Sequence, residues 1–266
     1  MTIGNKAVFT FALFLACFGV SSNAAIALPG AMQTLCKKAE TDAFKPLPAS
    51  LRSPNPDSLF QAIERGAKGT LVKRLLDGRH PDSIVSQDMT PMQFAALTGN
   101  WPAAQALLDA GADVGHMHKS KFDGSSTTPL DIALITNQFA FACKLIEFGA
   151  KLPEKQEDKN NLFSAALVME PKAFSRGAIF VDFLLQQGFD VNEFGSSLET
   201  PLMGSVALNN VPTIKVLLKH GARLDIVKSG DRTVWGVAYE KNNPQVLKLL
   251  EEAQKKATVE IEKAAE

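Results

Sequence analysis

Few side chains in these 266 residues are of the kind that make or break bonds, and their spacing limits what chemistry is open to the chain. His116 and His118 come nearest to a metal-binding motif. Two residues apart on an extended segment they share one side, and neutral imidazoles ligate divalent metals. A third ligand is not assured, although Asp113 and Asp123 stand nearby. Two ligands do not make a site, so neither a metal nor any other cofactor is expected. His80 and His220 fall at chain turns and are expected to be solvated. A catalytic nucleophile needs a base and a group that orients the base. No G-x-S-x-G elbow, P-loop, H-E-x-x-H or paired C-x-x-C occurs, and Ser205 after Gly204 has neither partner in view. No catalytic residue is named, and the chain is read as a non-enzyme.

Composition narrows the partners. Lys+Arg and Asp+Glu are equal at 28 each, which argues against a general grip on nucleic acid. Residues 1–27 carry one charge, Lys6, then an apolar run from Ala7 to Val20 and small residues up to Ala27. That order predicts a secretory signal peptide, cleaved after Ala27 or Ala24. A retained anchor and a lipoprotein signal ending at Cys17 are the alternatives; the run is short for a span, and Phe14 stands where a lipobox usually has Leu. The expected location is the periplasm, with no stable membrane insertion after cleavage. Cys36 and Cys143 would remain. In an oxidising compartment they can form one disulfide, or Cys143 can stay a buried free thiol on a core-facing helix.

The elements that must position any site come from a repeat. Thr90-Pro91-Met92-Gln93-Phe94-Ala95 leads to Leu107-Leu108-Asp109-Ala110-Gly111-Ala112. Thr128-Pro129-Leu130-Asp131-Ile132-Ala133 leads to Leu145-Ile146-Glu147-Phe148-Gly149-Ala150, and Thr200-Pro201-Leu202 leads to Leu217-Leu218-Lys219-His220-Gly221-Ala222. Weaker copies begin near Leu59, Leu162 and Thr233. From Thr200 to Thr233 the step is 33 residues, and from Thr90 to Thr128 it is 38. Thr is placed to cap a helix, Pro fits the first helical turn, and a recurring Ala (Ala62, Ala95, Ala133, Ala165, Ala238, with Ser205 in the fifth copy) lets helices approach. Gly111, Gly149, Gly188 and Gly221 end the second helices.

These units resemble ankyrin repeats, whose pattern is T-P-L-H-x-A followed by L-L-x-x-G-A. The resemblance implies an all-α repeat solenoid of about six helix-turn-helix units with short β-fingers over residues 55–253. A Pro-interrupted extension at 28–54 is expected to cover the first repeat loosely, and 254–266 to form a polar helical tail. The family's His is absent; its slot holds Phe60, Gln93, Asp131, Phe163, Met203 and Gly236, which is expected to remove local hydrogen bonding.

Ankyrin proteins usually bind other proteins through the concave face. The positions seven and eight after Thr are Glu64 and Arg65 in the first copy, then Leu97 and Thr98, Ile135 and Thr136, Leu167 and Val168, Ala207 and Leu208, and finally Glu240 and Lys241. An apolar centre between charged ends is the layout of a protein interface. Alternatively these side chains fold back on neighbouring repeats, or residues 28–54 cover them. Two insertions, Lys119 to Thr127 with Phe122 and Glu170 to Gly177 with Phe174 and Arg176, are either specificity elements or simply tolerated. The resemblance to exported bacterial ankyrin proteins implies a chain monomeric when free that binds another protein. The first expectation is an immunity protein neutralising a toxic effector. The second is a periplasmic scaffold supporting oxidative-stress defence beside catalase.

Overall fold

The computed structural model describes residues 28–41, 59–86, 88–121, 124, 126–154, 156–167, 171–193, 199–228 and 230–265. Among them are thirteen α-helices. Helix α1 (Gly30–Thr41) comes first. Six helix pairs follow: α2 (Leu59–Glu64) with α3 (Gly69–Leu76), α4 (Pro91–Thr98) with α5 (Trp101–Asp109), and α6 (Pro129–Ile135) with α7 (Phe139–Glu147). The last three are α8 (Gln156–Leu167) with α9 (Phe174–Gln186), α10 (Pro201–Ala207) with α11 (Val211–Lys219), and α12 (Val234–Lys241) with α13 (Pro244–Ala265). The first member of each pair packs on the first member of the next, which makes a continuous inner row, and on its own partner in an outer row. One hydrophobic core runs through all six pairs.

In four of the six pairs the sequence dictates the turns locally. Thr90, Thr128, Thr200 and Thr233 are extended and accept the backbone N–H three residues on, at 3.3, 3.2, 3.2 and 3.1 Å. Nine residues after each Thr the backbone enters the left-handed region, at Gly99 (φ 68°), Asn137 (60°), Asn209 (54°) and Asn242 (47°). This ends the inner helix and points the chain back along the outer one. Ala95 and Ala133 are fully buried, which sets the close approach of neighbouring repeats. In the fourth pair the fully buried alanine is Ala166 and not the expected Ala165. Helix α8 has no Thr-Pro start and is 12 residues long, so its register is set by packing and lies one residue later.

Between pairs the chain forms fingers. The longest is a hairpin of β1 (His118–Lys119) and β2 (Ser126–Thr127), with His118 opposite Thr127 and Lys119 opposite Ser126. Single antiparallel bridges, Ser86 to Met89 and Lys228 to Arg232, close two others.

The expectation for residues 28–54 is corrected in part. Residues 42–58 lie outside the described residues, but α1 is a regular helix, because no proline falls inside it and Met32, Leu35 and Cys36 form one apolar stripe. It does not lie on the first repeat. It packs in the outer row, mainly on α7 and then on α9 and α5. A disulfide joins Cys36 to Cys143 with Cα atoms 5.1 Å apart, so Cys143 is not a free thiol. The signal region and Cys17 lie outside the described residues. At the other end α13 runs unbroken from Pro244, and residues 254–259 are exposed.

Candidate protein-binding face

The expected interface residues divide sharply once placed on the stack. Ile135 at the end of α6 is 57% exposed and Leu208 after α10 is 43% exposed. Leu97 and Thr136 are half-buried. Thr98 is fully buried and Leu167 is 4% exposed, so neither can touch a partner. Thr98 folds back on its own helix, its hydroxyl donating to the Phe94 carbonyl at 3.0 Å. Leu167 is buried because the register of α8 moves it into the inter-repeat position held by Ala96, Leu134 and Val206, all fully buried. Phe174 is half-buried against the core and Arg176 is half-buried. Val168 and Phe122 lie outside the described residues. At the first end Arg65 is exposed but Glu64 is buried, so the charged rim there is narrower than expected.

The fingers carry apolar surface that the repeat pattern did not mark. Val85, Met117 and Val227 are 41, 59 and 60% exposed. Each stands six or seven residues after the Gly that ends an outer helix, Gly78, Gly111 or Gly221, and that spacing was the available signal. Ile135 and Leu208 on the inner row and these tips leave large aliphatic side chains in water on a rigid frame.

Three of the four histidines, His80, His118 and His220, make hydrogen bonds within the fold. His118 Nε2 lies 3.1 Å from Asp88 Oδ1, and Asp88 also accepts the Lys121 N–H. Hydrogen bonds from Ser120 and His118 hold the Asp88 carboxyl below its ordinary pKa. His220, expected to be solvated, instead lies 2.7 Å from Asp182 Oδ1 and ties α11 to α9, with Lys219 Nζ on the same oxygen at 3.2 Å. Burial pushes Asp182 up, but the hydrogen bonds and charges of His220 and Lys219 outweigh it, and the carboxyl is held low. His80 is exposed and its Nδ1 accepts the Asp82 N–H at 3.3 Å. Among the described residues no three His, Cys, Asp or Glu side chains converge on one point. No helix among them is long and apolar enough to cross a membrane. A shallow hollow of about 500 Å³ beside the last finger is lined by Glu199, Asp231, Arg232, Gly236 and Glu240, and an Arg232–Glu199 ion pair of 2.7 Å crosses it.

The family's missing His is partly replaced. Gln93 Oε1 accepts the Thr90 N–H at 2.9 Å, and its Nε2 donates to the Thr127 carbonyl of the next repeat, also at 2.9 Å. Asp131 accepts from Thr128 N at 2.8 Å. The expected loss of hydrogen bonding therefore does not hold at these two slots.

Residues 59–156 match the family described as ankyrin repeats (3 copies). Inversin from Canis lupus familiaris and from Homo sapiens is 29% identical over 168 residues, 62% of this chain. The match spans only 14 and 15% of those proteins, about a seventh of their length. A chain of the solved complex of the Bd0816 predatory endopeptidase from Bdellovibrio bacteriovorus with immunity protein Bd3460 superposes with a TM-score of 0.55 at 24% identity, over 73% of this chain and 97% of that one. The ankyrin repeat protein EF0377 superposes with a TM-score of 0.54 at 22% identity, over 74 and 98%. The fold is an ankyrin repeat solenoid.

Proposed function

We propose that this scaffold is an exported immunity-type protein that binds a toxic protein effector across its inner row and finger tips and neutralises it without catalysis. The observation that carries the reading is the exposure of Ile135 and Leu208 on the inner row, 57 and 43%, where an isolated solenoid gains nothing by leaving them in water. Covering each would contribute roughly 1.5–3 kcal/mol before the cost of association. The finger residues Met117 and Val227 extend the same apolar surface outward. The balanced charge gives no reason for a nucleic-acid partner. A buried disulfide suits an oxidising compartment, and the composition of residues 1–27 suits export to one, the periplasm in our reading. The likeness to a chain of the endopeptidase–immunity complex supplies the fold; the toxic effector is our own step beyond it.

The test is affinity capture with residues 28–266 from lysate of the source organism and its competitors, read by mass spectrometry, beside an Ile135→Glu/Leu208→Glu variant. The expected result is one stoichiometric partner with a hydrolytic or otherwise toxic domain, lost in the variant while its melting temperature stays within about 2 °C of the parent, as for surface substitutions. Capture unaffected by the variant would overturn the face. A scatter of weakly held peroxide-defence proteins would overturn the immunity reading in favour of a scaffold for oxidative-stress defence.

A further inference from the structure

The outer row is not uniform. Helices α3 and α5 pack directly on one another, and so do α9 and α11, but α7 makes only slight contact with α9 and less with α5. The space beside α7 is taken by α1, which comes from before the first repeat and is held there by the Cys36–Cys143 bridge. The repeat pattern does not require this helix, since among the described residues no other pair has one.

Among the residues of α1 whose burial is described, Met32, Leu35 and Cys36 are buried, at 1, 3 and 3% exposure, while Gly30, Ala31, Gln33, Thr34, Lys37 and Lys38 are exposed. A helix of 12 residues is marginal in water without tertiary contacts, so the order of α1 depends on its packing against α7 and on the bridge. Every residue of α7 from Phe139 to Ile146 is at or below 9% exposure, whereas α5 and α11 carry exposed residues such as Pro102 and Lys215.

We propose that α1 is a disulfide-locked latch, closed by oxidation of Cys36 and Cys143 and released when a dithiol reduces them, which uncovers an apolar groove along α7. The chemistry is a two-electron exchange. A dithiol such as dithiothreitol attacks the bridge, the two cysteines leave as thiols, and the reductant closes to its own cyclic disulfide. The latch confines the closed outer row to an oxidising compartment. In a reducing one the chain keeps its inner row, because the bridge joins two outer-row helices, but shows the α7 groove to solvent. The latch is on the row opposite the face assigned to the partner and does not rest on that assignment.

Native-state hydrogen exchange read by mass spectrometry tests this on residues 28–266, oxidised, reduced with dithiothreitol, and as the Cys36→Ser variant, which removes any question of reductant access. The expected result is a fall in protection of residues 30–41 on the order of 100-fold, in line with the loss of a constraint of this kind. A smaller fall is expected in α7, and none in residues 199–250. If residues 30–41 keep their protection in Cys36→Ser, noncovalent packing holds the helix and the latch is refuted. If residues 199–250 lose protection together with them, the bridge is a staple of the whole core and the latch is equally refuted.

Discussion

Replacing Gln93 by Ala isolates one inter-repeat link. The side chain is 1% exposed and sits in a fully satisfied arrangement. Its carbonyl accepts the Thr90 N–H at 2.9 Å, and its amide donates to the carbonyl and hydroxyl oxygens of Thr127 at 2.9 and 3.0 Å. Thr90 is fully buried, so truncation strands an N–H that water cannot reach. A buried donor left unpaired costs about 1–3 kcal/mol, and the half-buried Thr127 carbonyl adds a smaller penalty. The expected loss is roughly 2–4 kcal/mol, or about 5–15 °C in melting temperature for a domain of this size. Gln93→His should retain most of the stability. A neutral imidazole offers one acceptor and one donor, and His is what the family pattern places in this slot. Urea unfolding of the three proteins by circular dichroism reads the difference. An Ala variant within about 0.5 kcal/mol of the parent, or a His variant as weak as the Ala one, would refute the assignment of a link between the second and third repeats.

Three further outcomes follow from the same structure. Gly99→Ala should cost about 1–3 kcal/mol by thermal unfolding, because φ is 68° there and a Cβ would lie 2.7 Å from Gln138 Oε1. A milder effect for Gly99→Asn is expected, since Asn137, Asn209 and Asn242 hold the equivalent turn. The Asp182 carboxyl is held low in the folded state, so its contribution is present above the ordinary carboxylate pKa and is lost as the pH falls through the folded value. A melting-temperature series from pH 6 downward should therefore drop less steeply below about pH 4 in Asp182→Asn than in the parent, and parallel curves would contradict the Asp182–His220 assignment. Lys73→Met should change unfolding free energy by less than about 1 kcal/mol despite the 2.8 Å contact to Asp109, because both side chains are near half exposed.

What the sequence disclosed was what each repeat fixes within itself. Thr90, Thr128, Thr200 and Thr233 act within three residues of their own position, so their role as caps follows from type and spacing alone. Interactions between repeats were less accessible. The Cys36–Cys143 bridge spans 107 residues, and no local pattern says which outer helix α1 will meet. The candidate face was half legible for a related reason. Counting seven from Thr works where a Thr-Pro start fixes the helix phase, as for Ile135, but the eighth position does not follow, since Thr98 is buried with its hydroxyl on the Phe94 carbonyl. Counting fails for Leu167, where α8 starts without one and a one-residue shift turns a surface position into a core position. Position in a turn does not reveal the partner of His220, because Asp182 belongs to the preceding repeat.

The same positional logic explains where the stacking stops. The residues two and six after Thr form the surface on which the next inner helix packs. They are Met92 and Ala96, Leu130 and Leu134, and Leu202 and Val206, none more than 2% exposed. In the last repeat they are Trp235 and Tyr239, half-buried and 66% exposed, with ring centroids 6.4 Å apart. Aromatic rings with a polar atom tolerate both an apolar floor and water, which Leu or Val in the same positions would not. A solenoid's terminal repeat must present such a surface to remain soluble. Helix α13 adds a second barrier to further stacking, because it continues for residues 254–259 as an exposed, charged helix where the regular turn to another finger would begin. At these two positions the last described repeat therefore differs in residue type and exposure from the three compared with it. The apolar exposure that remains at Ile135, Leu208, Met117 and Val227 lies on the inner row and the fingers, outside the stacking surface, and stacking leaves it uncovered.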